Sequence, residues 1–286
     1  MNTQNTGLFP KTILIFFIIF LSLQQKSSAQ EGAYWMGLSS RNPALIGTPS
    51  DWVWGIAEFA DIPNYDGEIN SFALVADYTI SQKAGSIGAN FIRTKIGDET
   101  AFLAELLYAY TLTRKKNRQW NFGVSTGIEG QESGYSSYGY GNPKASYLKT
   151  NLGTLYRSRK LDLGLSYAFF NELDNEYSSG SLIDNYATFI TAYRFYIKEK
   201  FVIEPNLRID FFGGGDNDGY LGIHTEYDHK AWVGYENTGT GGVSSIYSGA
   251  DVSNRFRIAL RYSFSEYYQQ LGRSKYYQFT LGYKLK

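Results

Sequence analysis

Residues Lys200 to Asp216 read KFVIEPNLRIDFFGGGD, and this stretch decides the fold. Phe201, Ile203, Pro205, Leu207, Ile209 and Phe211 fall on one parity, and Val202, Glu204, Asn206, Arg208 and Asp210 on the other. Alternate side chains of an extended strand point to opposite faces. One face is therefore apolar along its length, and the other carries two carboxylates, a guanidinium and an amide. A soluble sheet would turn the apolar face to a core. A membrane barrel turns it to lipid and the charged face to the lumen. Pro205 takes a hydrogen-bond donor out of this strand, which predicts a bulge or a place where the lumen content pairs with the wall.

The same pattern recurs along the chain. Phe102, Ala104, Leu106, Tyr108 and Tyr110 are opposed by Glu105, and Leu161, Leu163, Leu165, Tyr167 and Phe169 by Asp162 and Ser166. Phe256, Ile258, Leu260, Tyr262 and Phe264 are opposed by Arg255, Arg257 and Arg261. The strand at 86–96 is less clean, because Arg93 and Lys95 share the parity of Phe91. Period-2 stretches are expected near 52–62, 69–79, 86–96, 102–112, 119–130, 149–157, 160–170, 184–196, 201–213, 218–228, 230–237, 243–249, 254–264 and 275–285. Alternate connections differ in kind. One set is short and basic, as in Arg114-Lys115-Lys116-Asn117-Arg118 and Ser158-Arg159-Lys160. The other is often longer and leans acidic, as in Gln131 to Leu148, Asn171 to Ile183 and Ser265 to Ser274. An up-and-down barrel with short periplasmic turns and longer outer loops sorts its connections this way. The fold expected is all-β: an antiparallel transmembrane barrel of about 14 strands, with 12 as the smaller alternative.

The ends and the composition agree. Lys11, the apolar run from Thr12 to Leu23 and the small residues Ser27-Ser28-Ala29 form a signal peptide cleaved near Ala29. This assigns residues 1–29 to the signal, 30–51 to an N-terminal periplasmic or plug segment and 52–286 to the barrel. The localisation expected is the outer membrane. The chain has no cysteine, which rules out disulfides and thiol chemistry. Its formal net charge is zero, so nucleic acid is not an expected partner, whereas the lipid bilayer is. Aromatic residues make up 17%, with 25 tyrosines, which suits membrane–water interfaces.

Catalysis has little to work with, and no cofactor or metal is expected. The only histidines are His224 and His229. His224, on the polar face of its strand, reads as a lumenal hydrogen-bonding residue, and His229 as a turn residue. Asp216-Asn217-Asp218-Gly219 reads as a hairpin turn rather than a calcium loop, because it lacks the distal bidentate glutamate. The tyrosines Tyr135, Tyr138, Tyr140, Tyr177, Tyr267 and Tyr268 form either an outer binding surface or an upper aromatic girdle. The inward charges are Asp77, Glu105, Glu129, Asp162, Glu204, Arg208, Asp210, Glu226, Arg257 and Arg261, joined by Arg157 and Arg194. Their mixed signs fit ion-paired lumen packing better than a selectivity lining.

Short motifs add a family resemblance. Asn42-Pro43-Ala44-Leu45-Ile46-Gly47, just before the first strand, resembles the N-P-A-aromatic-A-G opening of the PorP/SprF family. These are outer-membrane proteins of Bacteroidetes linked to type IX secretion and gliding motility. Ser71 to Tyr78, Ile87 to Phe91, Lys230 to Tyr235 (with Trp232 and Gly234) and Phe256 to Tyr262 resemble later family segments, in order. Leu45 and Ile46 depart from the usual aromatic and alanine. The last strand opens Gly272-Arg273-Ser274-Lys275 where the family often has G-S-H-E. The resemblance implies a non-enzymatic component or partner of the type IX system that helps export or retain a surface protein such as an adhesin. The barrel alone leaves a passive channel or solute transporter as the alternative.

Overall fold

In the computed structural model, the described residues are 38–47, 51–61, 69–81, 84–115, 118–132, 144–175, 184–197, 200–214, 217–228, 230–239, 242–265 and 274–285. The strands are β1 (Trp52–Asp61), β2 (Ile69–Ser81), β3 (Gly85–Ile96), β4 (Glu99–Lys115), β5 (Arg118–Glu132), β6 (Lys144–Ser158) and β7 (Leu161–Asn175). They continue as β8 (Tyr186–Tyr193), β9 (Phe195–Ile197), β10 (Phe201–Phe212), β11 (Asn217–Tyr227), β12 (Ala231–Thr238), β13 (Val243–Asp251), β14 (Phe256–Ser265) and β15 (Ser274–Lys284). A short helix, α1 (Leu38–Arg41), and a 3-10 turn (Pro43–Gly47) precede them.

Each strand pairs antiparallel with its neighbours in sequence, and β15 returns to β1 from Trp52↔Lys284 to Asp61↔Lys275. β8 and β9 are two segments of one stave, since both pair with β10. The described residues therefore form a closed barrel of fourteen staves. Closure pairs both sides of every stave, the condition for strands to cross a bilayer.

The bulge expected at Pro205 is absent. Asn206↔Ala192 and Ile203↔Phe195 keep one continuous register across the proline. The missing N–H coincides with an interruption in the facing stave at Arg194, between β8 and β9, while the Arg194 N–H keeps the β7 register on its other side, to Lys160 O at 2.7 Å. A gap in the ladder takes the place of an extra residue.

The outward face is apolar. Leu106, Leu112, Leu165, Leu260, Phe122 and Phe279 are among its exposed side chains. Two residues of the deciding strand differ from expectation. Leu207 and Ile209 share the outward parity but are buried, with Leu221 and Phe189 directly opposite them on β11 and β8.

The connections sort by end. At one end, strands are joined across 82–84, 116–117, 159–160, 198–200, 228–230 and 252–255. At the other end lie 62–68, 133–143, 176–185 and 266–273. The short-turn end is the periplasmic one in such barrels. Three outer connections break the trend: 213–216 and 239–242 span four residues each, and Gly97 (φ 59°) and Asp98 alone join β3 to β4, with the positive φ that the first position of a type II′ turn requires. Strands also run further outward than the alternation indicated, so β6 starts at Lys144 and β7 ends at Asn175. The end of β7 carries polar residues on both parities, and Lys144 and Ser146 put polar residues on the lipid-facing parity of β6, which hides both ends from a period-2 reading.

Candidate functional site

The N-terminal segment is seated inside the barrel. Lumen-facing side chains of β5 to β7 hold its backbone. Lys149 Nζ donates to Ser40 O at 3.0 Å. Asn151 Nδ2 donates to Ser40 O and Arg41 O, at 3.3 and 2.8 Å. Ser166 Oγ donates to Arg41 O at 2.6 Å, and Asn121 Nδ2 to Ala44 O at 3.2 Å. The segment returns bonds: Ser39 Oγ donates to Asn90 Oδ1 at 3.2 Å, and Asn42 Nδ2 to Thr154 O at 3.2 Å. Asn42 Oδ1 also accepts from Ala44 N at 3.0 Å, which closes the turn into the Pro43–Gly47 helix. Asn42, Pro43 and Ala44 are buried, and Gly47 ends the 3-10 turn.

The wall is hollowed to take this segment. A Cβ added at Gly123 would collide with the backbone of Pro43 and Ala44, and one at Gly153 with Asn42 Oδ1. Close backbone approach is what these wall glycines permit. Ile46 packs with Leu107 and Ala109, and Leu38 with Ile190.

The inward charges resolve into separate clusters. Glu105, fully buried, faces Lys149 Nζ at 3.5 Å and accepts from Asn90 Nδ2 at 2.7 Å and Ser125 Oγ at 3.3 Å. Asp210 lies 3.3 Å from Arg208 Nε and 3.9 Å from Arg41 Nε, and accepts from Thr188 Oγ1 at 2.6 Å. Arg208 also stacks on Tyr220 at 3.5 Å. Near the periplasmic end, Asp162 is gripped by Arg157 at 2.7 Å and Arg194 at 2.6 Å, and Arg194 reaches Glu204 at 2.5 Å. Arg261 pairs with Glu236 at 3.1 Å. Asp77 Oδ1 accepts the Trp52 N–H at 2.9 Å. Glu129 and Glu226 are half-buried on the inner wall. Buried charges need such partners.

Aromatic residues fill the other side of the lumen. Trp52, Trp54, Ile56, Val75, Trp232 and Tyr247 belong to one buried cluster. Arg257, held by Asp251, lies 4.9 Å from the Trp52 ring and 4.6 Å from the Trp232 ring. Trp232 lies over Gly249, and Tyr247 over Gly234, so a Cβ at either glycine would strike a ring. His224 Nδ1 meets Tyr247 Oη at 3.4 Å, a lumenal hydrogen bond. Between the aromatic cluster and the N-terminal segment remains a cavity of about 260 Å³, lined by Leu38, Ile46, Trp54, Arg157, Arg194 and Glu204, among others.

Sequence reasoning missed Lys149, Asn151 and Asn121, which hold the segment. A signal was available, because Lys149, Asn151 and Gly153 alternate along one face of β6, each suited to a buried polar contact rather than to lipid. His229, Asp216 and the six loop tyrosines lie outside the described residues. Asn217 opens β11, and Asp218 is buried.

Comparison with known proteins gives a family and a fold. The family model "Type IX secretion system membrane protein PorP/SprF" matches residues 23–283. No curated protein matches the chain. Among solved structures, the toluene transporter TbuX of Ralstonia pickettii superposes with a TM-score of 0.56 at 12% identity, covering 87% of this chain and 92% of that one. TodX, the Pseudomonas putida toluene transporter, gives 0.54 at 12% identity, covering 90% and 94%. Omp33 of Acinetobacter baumannii gives 0.54 at 9% identity, covering 84% and 100%. At such identities the likeness is one of fold alone, that of outer-membrane barrels.

Proposed function

Because the chain belongs to the type IX secretion system membrane protein family PorP/SprF, we propose that it is a non-enzymatic partner of that system that helps export or retain a surface protein such as an adhesin. In this reading it is a multi-pass outer-membrane protein whose signal peptide is removed near Ala29. The barrel is a membrane anchor, and the outer loops hold the client. The observation that carries the reading is the lumen itself. Its own chain occupies it, with Ser40, Arg41, Asn42 and Ala44 bonded to the wall and three tryptophans packed opposite. A lumen filled in this way favours an anchor over a solute path.

Affinity capture of a tagged copy from mild-detergent outer membranes tests this. Co-purification of a large exported surface protein or of secretion components is the expected result, and recovery of the barrel alone would count against it. The longest outer connection, residues 133–143, is the first loop to remove, because the flanking strands end at Glu132 and begin again at Lys144. Its deletion is expected to lower surface retention of the captured client at least tenfold with the barrel still inserted. Unchanged retention after removal of each long outer loop in turn would exclude the loops as the client surface.

A second reading is a small-solute transporter. The 260 Å³ cavity beneath the N-terminal segment favours it, as does the barrel's likeness to two structures described as toluene transporters. It requires a path past residues 38–47.

A further inference from the structure

The short periplasmic turns carry charge that neither the lumen packing nor the outer loops use. Residues 114–118, 158–160 and 198–200 hold eight lysines and arginines against one carboxylate, Glu199. These are three consecutive turns of the rim, joining β4 to β5, β6 to β7 and β9 to β10. The remaining turns, 82–84, 228–230 and 252–255, hold one lysine or arginine each. Of these, Lys230 is paired with Asp228 at 3.4 Å. At the closure, Lys284 lies opposite Trp52, next to Asp51. A chain of zero net charge therefore gathers most of its periplasmic cations on one arc.

The arc is a fixed surface. Arg118 stands directly opposite Ser158, which ties the first turn to the second. Ser158 Oγ accepts from Leu161 N at 2.9 Å and from Lys160 N at 3.3 Å. The neighbouring stave holds the second turn from its other side: Tyr196 Oη donates to Arg159 O at 2.8 Å, and Arg194 N to Lys160 O at 2.7 Å. Arg118, Arg159, Lys160 and Lys200 are exposed, and none of the four has an ion pair among the described residues. The Arg159 guanidinium lies 5.0 Å from the centre of the Tyr196 ring. Tyr196 pairs with Val202 on the inward parity, so Arg159 is drawn over the barrel mouth and away from the surrounding lipid.

We infer that this arc docks a periplasmic protein that presents a cluster of carboxylates. Phospholipid headgroups of the inner leaflet are the competing occupant. That leaflet encircles the whole rim, so a headgroup role calls for cations on every turn rather than on three consecutive ones. A one-signed patch steers an oppositely charged partner into register, and salt weakens the attraction. The arc lies at the opposite end of the barrel from the outer loops, so the docked protein and a surface client occupy different faces.

Zero-length carbodiimide cross-linking tests the assignment, because it joins a lysine amine only to a carboxylate in contact with it. The probe is a short poly-L-glutamate, added to purified protein in phosphatidylcholine nanodiscs with and without phosphatidylglycerol, and linked lysines are mapped by peptide mass spectrometry. Lys160 and Lys200 are expected to link at least fivefold more than Lys230, with either lipid. R118Q/R159Q leaves both lysines in place and is expected to lower their linkage at least fivefold, and the charge-keeping R118K/R159K to preserve most of it. Heat-modifiable gel mobility shows whether each variant is folded. In intact cells the same reagent is expected to link Lys160 or Lys200 to a carboxylate of another protein, again dependent on Arg118 and Arg159. Equal linkage of the three lysines, undiminished linkage in folded R118Q/R159Q, or no linkage to another protein in cells would overturn the assignment. Loss of linkage when phosphatidylglycerol is present would also overturn it and give the arc to the inner leaflet.

Discussion

Gly123→Val is expected to expel the N-terminal segment from the lumen while leaving the barrel closed. Gly123 lies on the inner face of β5, and any Cβ there falls on the backbone of Pro43 and Ala44. Backbone cannot swing aside as a side-chain tip can. This backbone is also pinned, because Ala44 O accepts from Asn121 and Ala44 N donates to Asn42 Oδ1. Overpacking of this kind costs about 1–3 kcal/mol. Displacement of Ala44 also forfeits two buried hydrogen bonds, at about 1 kcal/mol each. A combined loss of about 3 kcal/mol raises the unseated population by roughly 100-fold. Valine suits a strand, so the wall itself should tolerate it. The measurement is trypsin cleavage at Arg41 in detergent-solubilised protein, at least tenfold faster in the variant. Gly55→Val is the control, since nothing lies within 4 Å of a Cβ at Gly55. Cleavage at the wild-type rate in Gly123→Val would show that the seat is not what holds the segment.

Lys149→Met is the second large effect. Lys149 and Glu105 have side chains 3% and 0% exposed, and the ammonium also holds Ser40 O. Methionine keeps the volume and removes the charge, so Glu105 remains as a buried carboxylate whose fixed partners are Asn90 and Ser125. Breaking one side of a buried pair costs about 3–5 kcal/mol, whereas replacing both with apolar residues of similar size is often neutral. Urea unfolding followed by heat-modifiable mobility should show a large loss in Lys149→Met and recovery of most of it in Glu105→Leu/Lys149→Met. Equal losses in the single and double variants would mean that the pair is not coupled.

The fold was legible because a bilayer imposes one rule on every stave. Strands such as 102–112 and 254–264 must show lipid an unbroken apolar parity, and that parity is visible without a partner strand. Outside the bilayer the rule lapses, which is why Lys144 to Leu148 and Asn171 to Asn175 read as loop although they are strand. Pro205 misled in detail, because the interruption that accompanies its missing donor lies across the ladder at Arg194, more than ten residues away in sequence. In the lumen, charge signs were legible but pairings were not. Nothing local in Asp162 says that it will be shared by Arg157 and Arg194, from the two staves that flank its own. The N-P-A motif was legible as a motif only. Its physical content is a segment bonded through its backbone to Asn121, Asn151 and Ser166 and seated against Gly123 and Gly153, residues dispersed over three staves.

An anchor whose lumen is filled by its own chain should not conduct. The most direct measurement is single-molecule ion conductance in planar bilayers, made on the intact protein and on Gly123→Val. Insertion of the intact protein without sustained current steps, and steps of a defined size in the variant, is the predicted result. A steady open channel in the intact protein, unchanged in size by Gly123→Val, would contradict the account and move the assignment to a solute path.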